Sequence, residues 1–254
     1  GSTTDERYLN LEDTWAEQLE KAFRDNSKYI DVVNAGIDGQ SSFGHIWNLR
    51  EWINKIDDLK INNIIFYIGI NEKEYPGRHD LNIDRVKYPK KILYILKYNN
   101  GFVSKLYEFF VHKYNPIDEL NVAHSKSRTA NYKKILPSNN FNTNFLSKNI
   151  NELIKISKEL KINPIFVTQR TARWKLNKNQ VYSISEGYDY YSREKIISET
   201  ILKICEKYKL ICIDGFNQLN LNNEDTYDLV HTNPEGSKKI ANFIFKSLQK
   251  EGFK

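Results

Sequence analysis

Methionine is absent from the 254 residues, and cysteine occurs only twice, as Cys205 and Cys212. Elementary physics offers no account of the missing methionine. Two cysteines are too few for a disulfide framework, and Cys212 reads as a buried strand residue. No apolar run approaches the length of a membrane span, and the opening residues do not resemble a secretory signal. The chain opens at Gly1 rather than at methionine, so a missing upstream portion, a membrane domain included, is compatible with it. No internal repeat or low-complexity linker divides the sequence, and no nucleic-acid-binding motif is present. Metal-ligand spacing is also lacking. His79, His112 and His124 are isolated, as surface histidines are, and His45 beside Trp47 reads as structural. Nothing here names a compartment; cytoplasm and cell envelope both fit.

What is present fits one α/β domain spanning residues 1–254: 30.0 kDa, with 40% hydrophobic and 28% charged residues. Net charge is 38 minus 32, or +6, with a pI near 9.0. That balance permits an anionic partner such as a phosphorylated or acidic glycan, although dispersed lysines equally describe a solvated surface.

Trp15, Leu19, Ala22 and Phe23 mark an amphipathic helix from about Asp13 to Phe23. Tyr29 to Val33 reads as a short strand, followed by a turn through Gly36, Asp38 and Gly39 and a helix from Phe43 to Leu59. Ile64 to Ile68 is a nearly continuous apolar strand, suited to a sheet covered on both faces. Residues from about 73 to 140 read as an insertion over one side of the site, with helices near Lys90 to Lys97 and Val103 to Tyr114. Order returns with a helix from Thr143 to Leu160, a strand from Pro164 to Thr168, and a loop from Gln169 to Tyr190. A helix from Ser192 to Tyr208, a strand from Leu210 to Asp214 and a closing helix follow. Strand and helix alternate, which predicts right-handed βαβ units and a mostly parallel sheet between two helical layers.

In such sheets the loops after the strands converge on one crevice. Gly39, Asn71 and the pair Asp228/His231 all stand on such loops. An Asp three residues before a His can bond Nδ1–H, fix the tautomer and leave Nε2 free as a base. Asn233 is a good N-cap, Pro234 suits the first helical position and Glu235 favours the positive end of the dipole, so a helix begins just after His231. Ser2 is a candidate nucleophile, Gly39 a candidate backbone donor, and Asn71 a candidate amide donor to a developing oxyanion.

These segments resemble a known family. Gly1-Ser2-Thr3-Thr4, Asn34-x-x-Ile37-x-Gly39, Gly69-Ile70-Asn71-Glu72 and Asp228-x-x-His231 are similar, in order, to the four blocks of the SGNH/GDSL hydrolase superfamily. The opening, with Trp15 some dozen residues on, resembles its "GGSTT" variants. The resemblance spans nearly the whole chain. It implies a flavodoxin-like α/β/α sandwich with Ser2 as nucleophile and Asp228 and His231 completing a triad. The Ser2 and Gly39 N–H groups with the Asn71 amide would form an oxyanion hole, and no metal or organic cofactor would be needed. Glu72 stands where Asp usually follows the block Asn, a position that supports the loop. The family's first, central strand would precede Gly1, so the native protein is expected to continue upstream.

The function that follows is a serine esterase removing an O-acyl group, taken to be acetyl, from a carbohydrate or similar polar substrate. A glycan O-acyltransferase with the same residues and a catalytically silent binding domain on the same fold are the alternatives. Arg170, Arg173 and Trp174, just after a strand, are candidates for touching a sugar or an anionic group, or else form a stacked surface cluster.

Overall fold

The computed structural model describes residues 1–75, 130–138, 141–184 and 189–253. Its main sheet has the strand order β1 (Asn63–Ile68), β3 (Asn163–Thr168) and β6 (Cys212–Ile213), with both pairings parallel. Side chains alternate along a strand, so one sheet serves two cores. Tyr67, Ile165, Val167 and Ile213 face one side. There they meet Trp15, Leu19 and Phe23 of α2 (Trp15–Asp25) and Ile240, Ile244 and Leu248 of α7 (Pro234–Lys250). Phe66, Ile68 and Phe166 face the other side, which is covered by α3 (Ser42–Glu51), α4 (Asn144–Glu159) and α5 (Tyr190–Tyr208). Burying each such side chain contributes about 1.5–3 kcal/mol, which outweighs helix propensity in fixing the layers. The result is the three-layer α/β/α arrangement expected from strand–helix alternation.

Four details differ from the sequence reading. Tyr29 to Val33 runs extended without a ladder partner, although its period of two survives: Ile30 and Val32 pack on the core while Tyr29 and Val33 are 92% and 75% exposed. The Glu20 carboxylate, 2.8 Å from the Val32 N–H, accepts the bond that a strand would. The helix expected to reach Leu59 stops at Glu51; a 3-10 turn then seats Ile53 in the core and leaves Ile56 and Leu59 exposed. Residues 169–190, expected as a loop, contain a hairpin of β4 (Trp174–Asn177) and β5 (Gln180–Ser183), to which β2 (Lys133–Lys134) adds a third antiparallel strand. Its two-residue turn is Lys178-Asn179, both in the left-handed region at φ 46° and 62°. Glycine usually marks such turns, and its absence here hid the hairpin. Finally, Cys212 is only half-buried and is joined by a disulfide to Cys205, tying the end of α5 to β6. The two helices expected within residues 73–140 lie outside the described residues, as do His79, His112 and His124.

Candidate active site

The loop before α7 is built by its own backbone. Asn233 caps the helix by accepting the Gly236 N–H at 3.0 Å, and Pro234 occupies the first helical position. Thr226 and Thr232 form a bridge, and the Tyr227 N–H reaches the His231 carbonyl at 2.8 Å. Within this tight loop Leu229 takes φ 71°, a left-handed conformation costing about 1 kcal/mol or more for a side-chain-bearing residue. The loop over-determines it: Leu229 is buried and its carbonyl accepts the Ala172 N–H at 2.9 Å. Asp228 Oδ1 is thereby placed to accept the N–H groups of Val230 at 3.0 Å and His231 at 2.7 Å, while Oδ2 lies 2.6 Å from His231 Nδ1.

His231 Nε2 lies 2.8 Å from Ser2 Oγ, so Ser2, His231 and Asp228 stand in one hydrogen-bonded line. Ser2 sits on a single helical turn, α1 (Ser2–Asp5), that is fastened from several sides. Trp15 Nε1 donates to the Thr3 carbonyl at 3.0 Å, Gln169 Nε2 to Thr3 Oγ1 at 2.7 Å, and Asn34 Nδ2 to the Thr4 carbonyl at 2.6 Å. Gly36 passes so close that a Cβ there would lie 2.3 Å from the Asp5 nitrogen, which only glycine allows.

Gly39 has φ 69°, again a glycine conformation. Asn71 Nδ2 donates one hydrogen to the Gln40 carbonyl at 3.2 Å, and a Cβ on Gly1 would lie 2.7 Å from that nitrogen. The amide is therefore held against the serine turn with a second hydrogen to offer. Among the described residues no protein acceptor takes the Ser2 or Gly39 backbone N–H. Glu72 lies deeper, accepting the Ser42 N–H and Oγ–H, each at 2.7 Å, so it anchors α3 to the Asn71 loop.

Charge is distributed to match. Burial disfavours the Asp228 carboxylate, but the hydrogen bonds and charge of His231 and the Val230 N–H outweigh it, and its pKa lies below the ordinary value. Burial likewise disfavours the His231 imidazolium. Asp228, by hydrogen bond and charge, and Asp38 by charge prevail over it, raising the pKa above the ordinary 6.5 against the opposing charge of Arg173. A cleft beside the pair is lined by Ser2, Asp5, Arg7, Asp38, Tyr227 and His231, among other residues.

Glu6 and Glu194 went unnoticed in the sequence. Glu6 is buried and accepts the Trp15 N–H at 2.7 Å, Thr232 Oγ–H at 2.8 Å and Ser237 Oγ–H at 2.5 Å, clamping the serine turn to the histidine loop. Its partners lie 9, 226 and 231 residues away, so no local pattern could reveal it. Burial pushes its pKa up to about 7 against those hydrogen bonds and the charge of His231. Glu194, on α5, accepts the Thr171 N–H at 3.1 Å, the Thr171 hydroxyl at 2.6 Å and Trp174 Nε1–H at 2.7 Å.

That last bond corrects the reading of Trp174 as a sugar-contacting residue: the ring is 2% exposed and offers no free face. Arg170 stacks over it at 4.0 Å and donates to the Phe216 carbonyl at 3.3 Å, so these two residues form an internal stack. Arg173 differs: it is partly exposed, lies over the Tyr190 ring at 4.5 Å, and its charge reaches His231. His45 is neutral and structural; burial lowers its pKa to about 3, and it stacks on Phe66. Among the described residues no group of three or more His, Cys, Asp or Glu side chains could hold a metal, and no helix is long and apolar enough to cross a membrane.

No protein-family model and no curated protein sequence matches the chain. Its structure is similar to that of a psychrotrophic esterase from Pseudoalteromonas sp., itself inhibited by monoethylphosphonate. The TM-score is 0.53 at 14% identity, over 99% of this chain and 94% of that one. It is similar also to LAE5, an alpha/beta hydrolase enzyme from the metagenome of Lake Arreo (TM-score 0.51, 14% identity, 93% and 82% coverage). A GDSL-like lipase from Bacteroides thetaiotaomicron aligns with a TM-score of 0.50 at 14% identity, over 98% of this chain and 96% of that one. The chain thus shares its fold with these esterase, hydrolase and lipase structures.

Proposed function

We propose that this protein is a serine ester hydrolase that removes an O-acyl group, acetyl in the first instance, from a carbohydrate or similarly polar substrate. The observation that carries the reading is the Ser2–His231–Asp228 line at 2.8 and 2.6 Å, beside two unengaged backbone N–H groups and the Asn71 amide. Ser2 Oγ attacks the ester carbonyl carbon as its proton passes to His231 Nε2. The carbonyl π electrons move to oxygen, where the Ser2, Gly39 and Asn71 donors receive the charge. Collapse breaks the bond to the alcohol oxygen, which takes the proton from Nε2. Water then repeats the sequence on the acyl-serine, releasing the acid and restoring the hydroxyl. Asp228 keeps Nδ1 protonated and stabilises the imidazolium.

A polar substrate is supported by the charged and phenolic lining of the cleft, with Asp5, Arg7, Asp38 and Tyr227 beside the reacting pair. Phosphonate inhibition of the Pseudoalteromonas esterase makes a fluorophosphonate the natural probe. Intact mass should show one adduct on the native protein and none on Ser2→Ala or His231→Ala. An adduct that survives Ser2→Ala, or no adduct on folded native protein, would refute the assignment.

A further inference from the structure

The small antiparallel sheet grows directly out of the reacting loop. Ala172, two residues before β4, donates to the Leu229 carbonyl at 2.9 Å, and Tyr132, just before β2, donates its hydroxyl to the Ala172 carbonyl at 2.6 Å. Residues paired across antiparallel strands share a face, and so do alternate residues along one strand. Trp174, Ser183 and Val181 occupy the inner face and are 2%, 0% and 6% exposed. The outer face carries the row Lys134, Tyr182, Lys175, aligned directly across all three strands. The alternation that places Trp174 inside places Arg173 on the outer face with Lys175.

Among the described residues, the three strands carry charge of one sign on this face. Lys134 and Lys175 are exposed, Lys175 Nζ lies 4.4 Å from the centre of the Tyr132 ring, Asn177 and Gln180 complete the rows, and Lys178 caps the turn. No Asp or Glu occurs within β2, β4 or β5. Its inner end is Arg173, the residue whose charge is felt at His231. Successive outward positions on a strand are about 7 Å apart and neighbouring strands about 5 Å apart. Cations at that pitch, interleaved with tyrosine rings, match a polymer of sugar rings bearing periodic carboxylates. They do not match an aliphatic or neutral ester.

We infer that the outer face of this sheet, through Arg173, Lys134, Tyr182 and Lys175, binds an acidic polysaccharide, making an O-acylated, carboxylate-bearing glycan the substrate class of the site. The inference rests on the ester-hydrolase reading, and binding can be tested apart from turnover. Polygalacturonate oligomers without acyl groups would be titrated calorimetrically into Ser2→Ala protein, with Lys134→Gln/Lys175→Gln and Lys134→Arg/Lys175→Arg added in turn. The glutamine pair should weaken binding by about five- to tenfold and the arginine pair should preserve it, with affinity falling as salt rises. Neutral xylan oligomers should not bind. Equal affinity in the glutamine pair would overturn the inference, as would equal binding of xylan oligomers, duplex DNA or anionic phospholipid vesicles. Failure of the native protein to turn over p-nitrophenyl acetate would strike the hydrolase reading alone.

Discussion

Two buried carboxylates brace the surroundings of the Asp228–His231 loop, Glu6 through Thr232 just after it and Glu194 through Thr171 and Trp174, which flank the Ala172 N–H bonded to the Leu229 carbonyl, and they differ in their partners. Glu6 holds the serine turn and accepts from two hydroxyls, Thr232 and Ser237, as well as one N–H. Glu194 holds the hairpin side and accepts from two N–H groups and one hydroxyl; burial raises its pKa above the ordinary value against those bonds and the charge of Arg173. A hydroxyl can turn from donor to acceptor when a carboxyl gains a proton; an N–H cannot. The Glu6 clamp can therefore survive protonation near pH 7, whereas the Glu194 clamp depends on acceptor oxygens. The serine turn is thus held by an adaptable anchor, and the hairpin by a rigid one.

The largest effect is expected on the reacting side. Asp228→Asn should lower kcat by about 10⁴, because the imidazole loses the partner that fixes its tautomer. In the native protein kcat/KM should fall as pH drops through the His231 pKa, above the ordinary 6.5, since the base must be neutral to accept the serine proton. Asp228→Asn should move that acid limb to lower pH; a limb that stays in place would show that another group sets it. Next in size, Asn71→Ala should cost about 10²–10³ in kcat with a smaller change in KM, as for one lost oxyanion donor. Kinetics on p-nitrophenyl acetate read both.

Changes to the two anchors test the comparison itself. The folded-state pKa of Glu6, about 7, lies above its ordinary 4.5, so the folded protein holds the extra proton between those values. The associated stability is fully present below pH 4.5 and lost as pH rises through 7, amounting to about 3 kcal/mol. Glu6→Gln cannot titrate. The native protein should therefore lose stability relative to Glu6→Gln between pH 5 and pH 8 in urea unfolding, and parallel curves would refute this. The smallest effect belongs to the other side: Trp174→Phe removes one donor from Glu194 and should cost about 1–3 kcal/mol of stability with little change in turnover. A large fall in turnover there would show that the two sides are not separable.

Much of this was legible before any coordinates. Asn233 and Pro234 announced where α7 begins, and the apolar runs at Ile64 to Ile68 and Pro164 to Thr168 announced buried parallel strands; the structure has all of these features. These are local statements, carried by capping chemistry and periodicity. Where a local signal was missing or misleading, the reading failed. The Lys178-Asn179 turn lacked its glycine, Tyr29 to Val33 had a strand's alternation without a ladder partner, and Trp174 looked like a surface aromatic until Glu194 claimed its N–H.

The sequence by itself determined the layers, the helix that follows His231, and the residue types available to the crevice, because hydrophobic period and capping act over a few residues. Only the tertiary structure decided which of those residues meet. Ser2 and His231 are 229 residues apart and come within 2.8 Å, and Glu6 reaches Ser237 across 231. Such contacts depend on how two cores close around one sheet, and no pattern within a short window encodes the distance between two loops once that closure is complete.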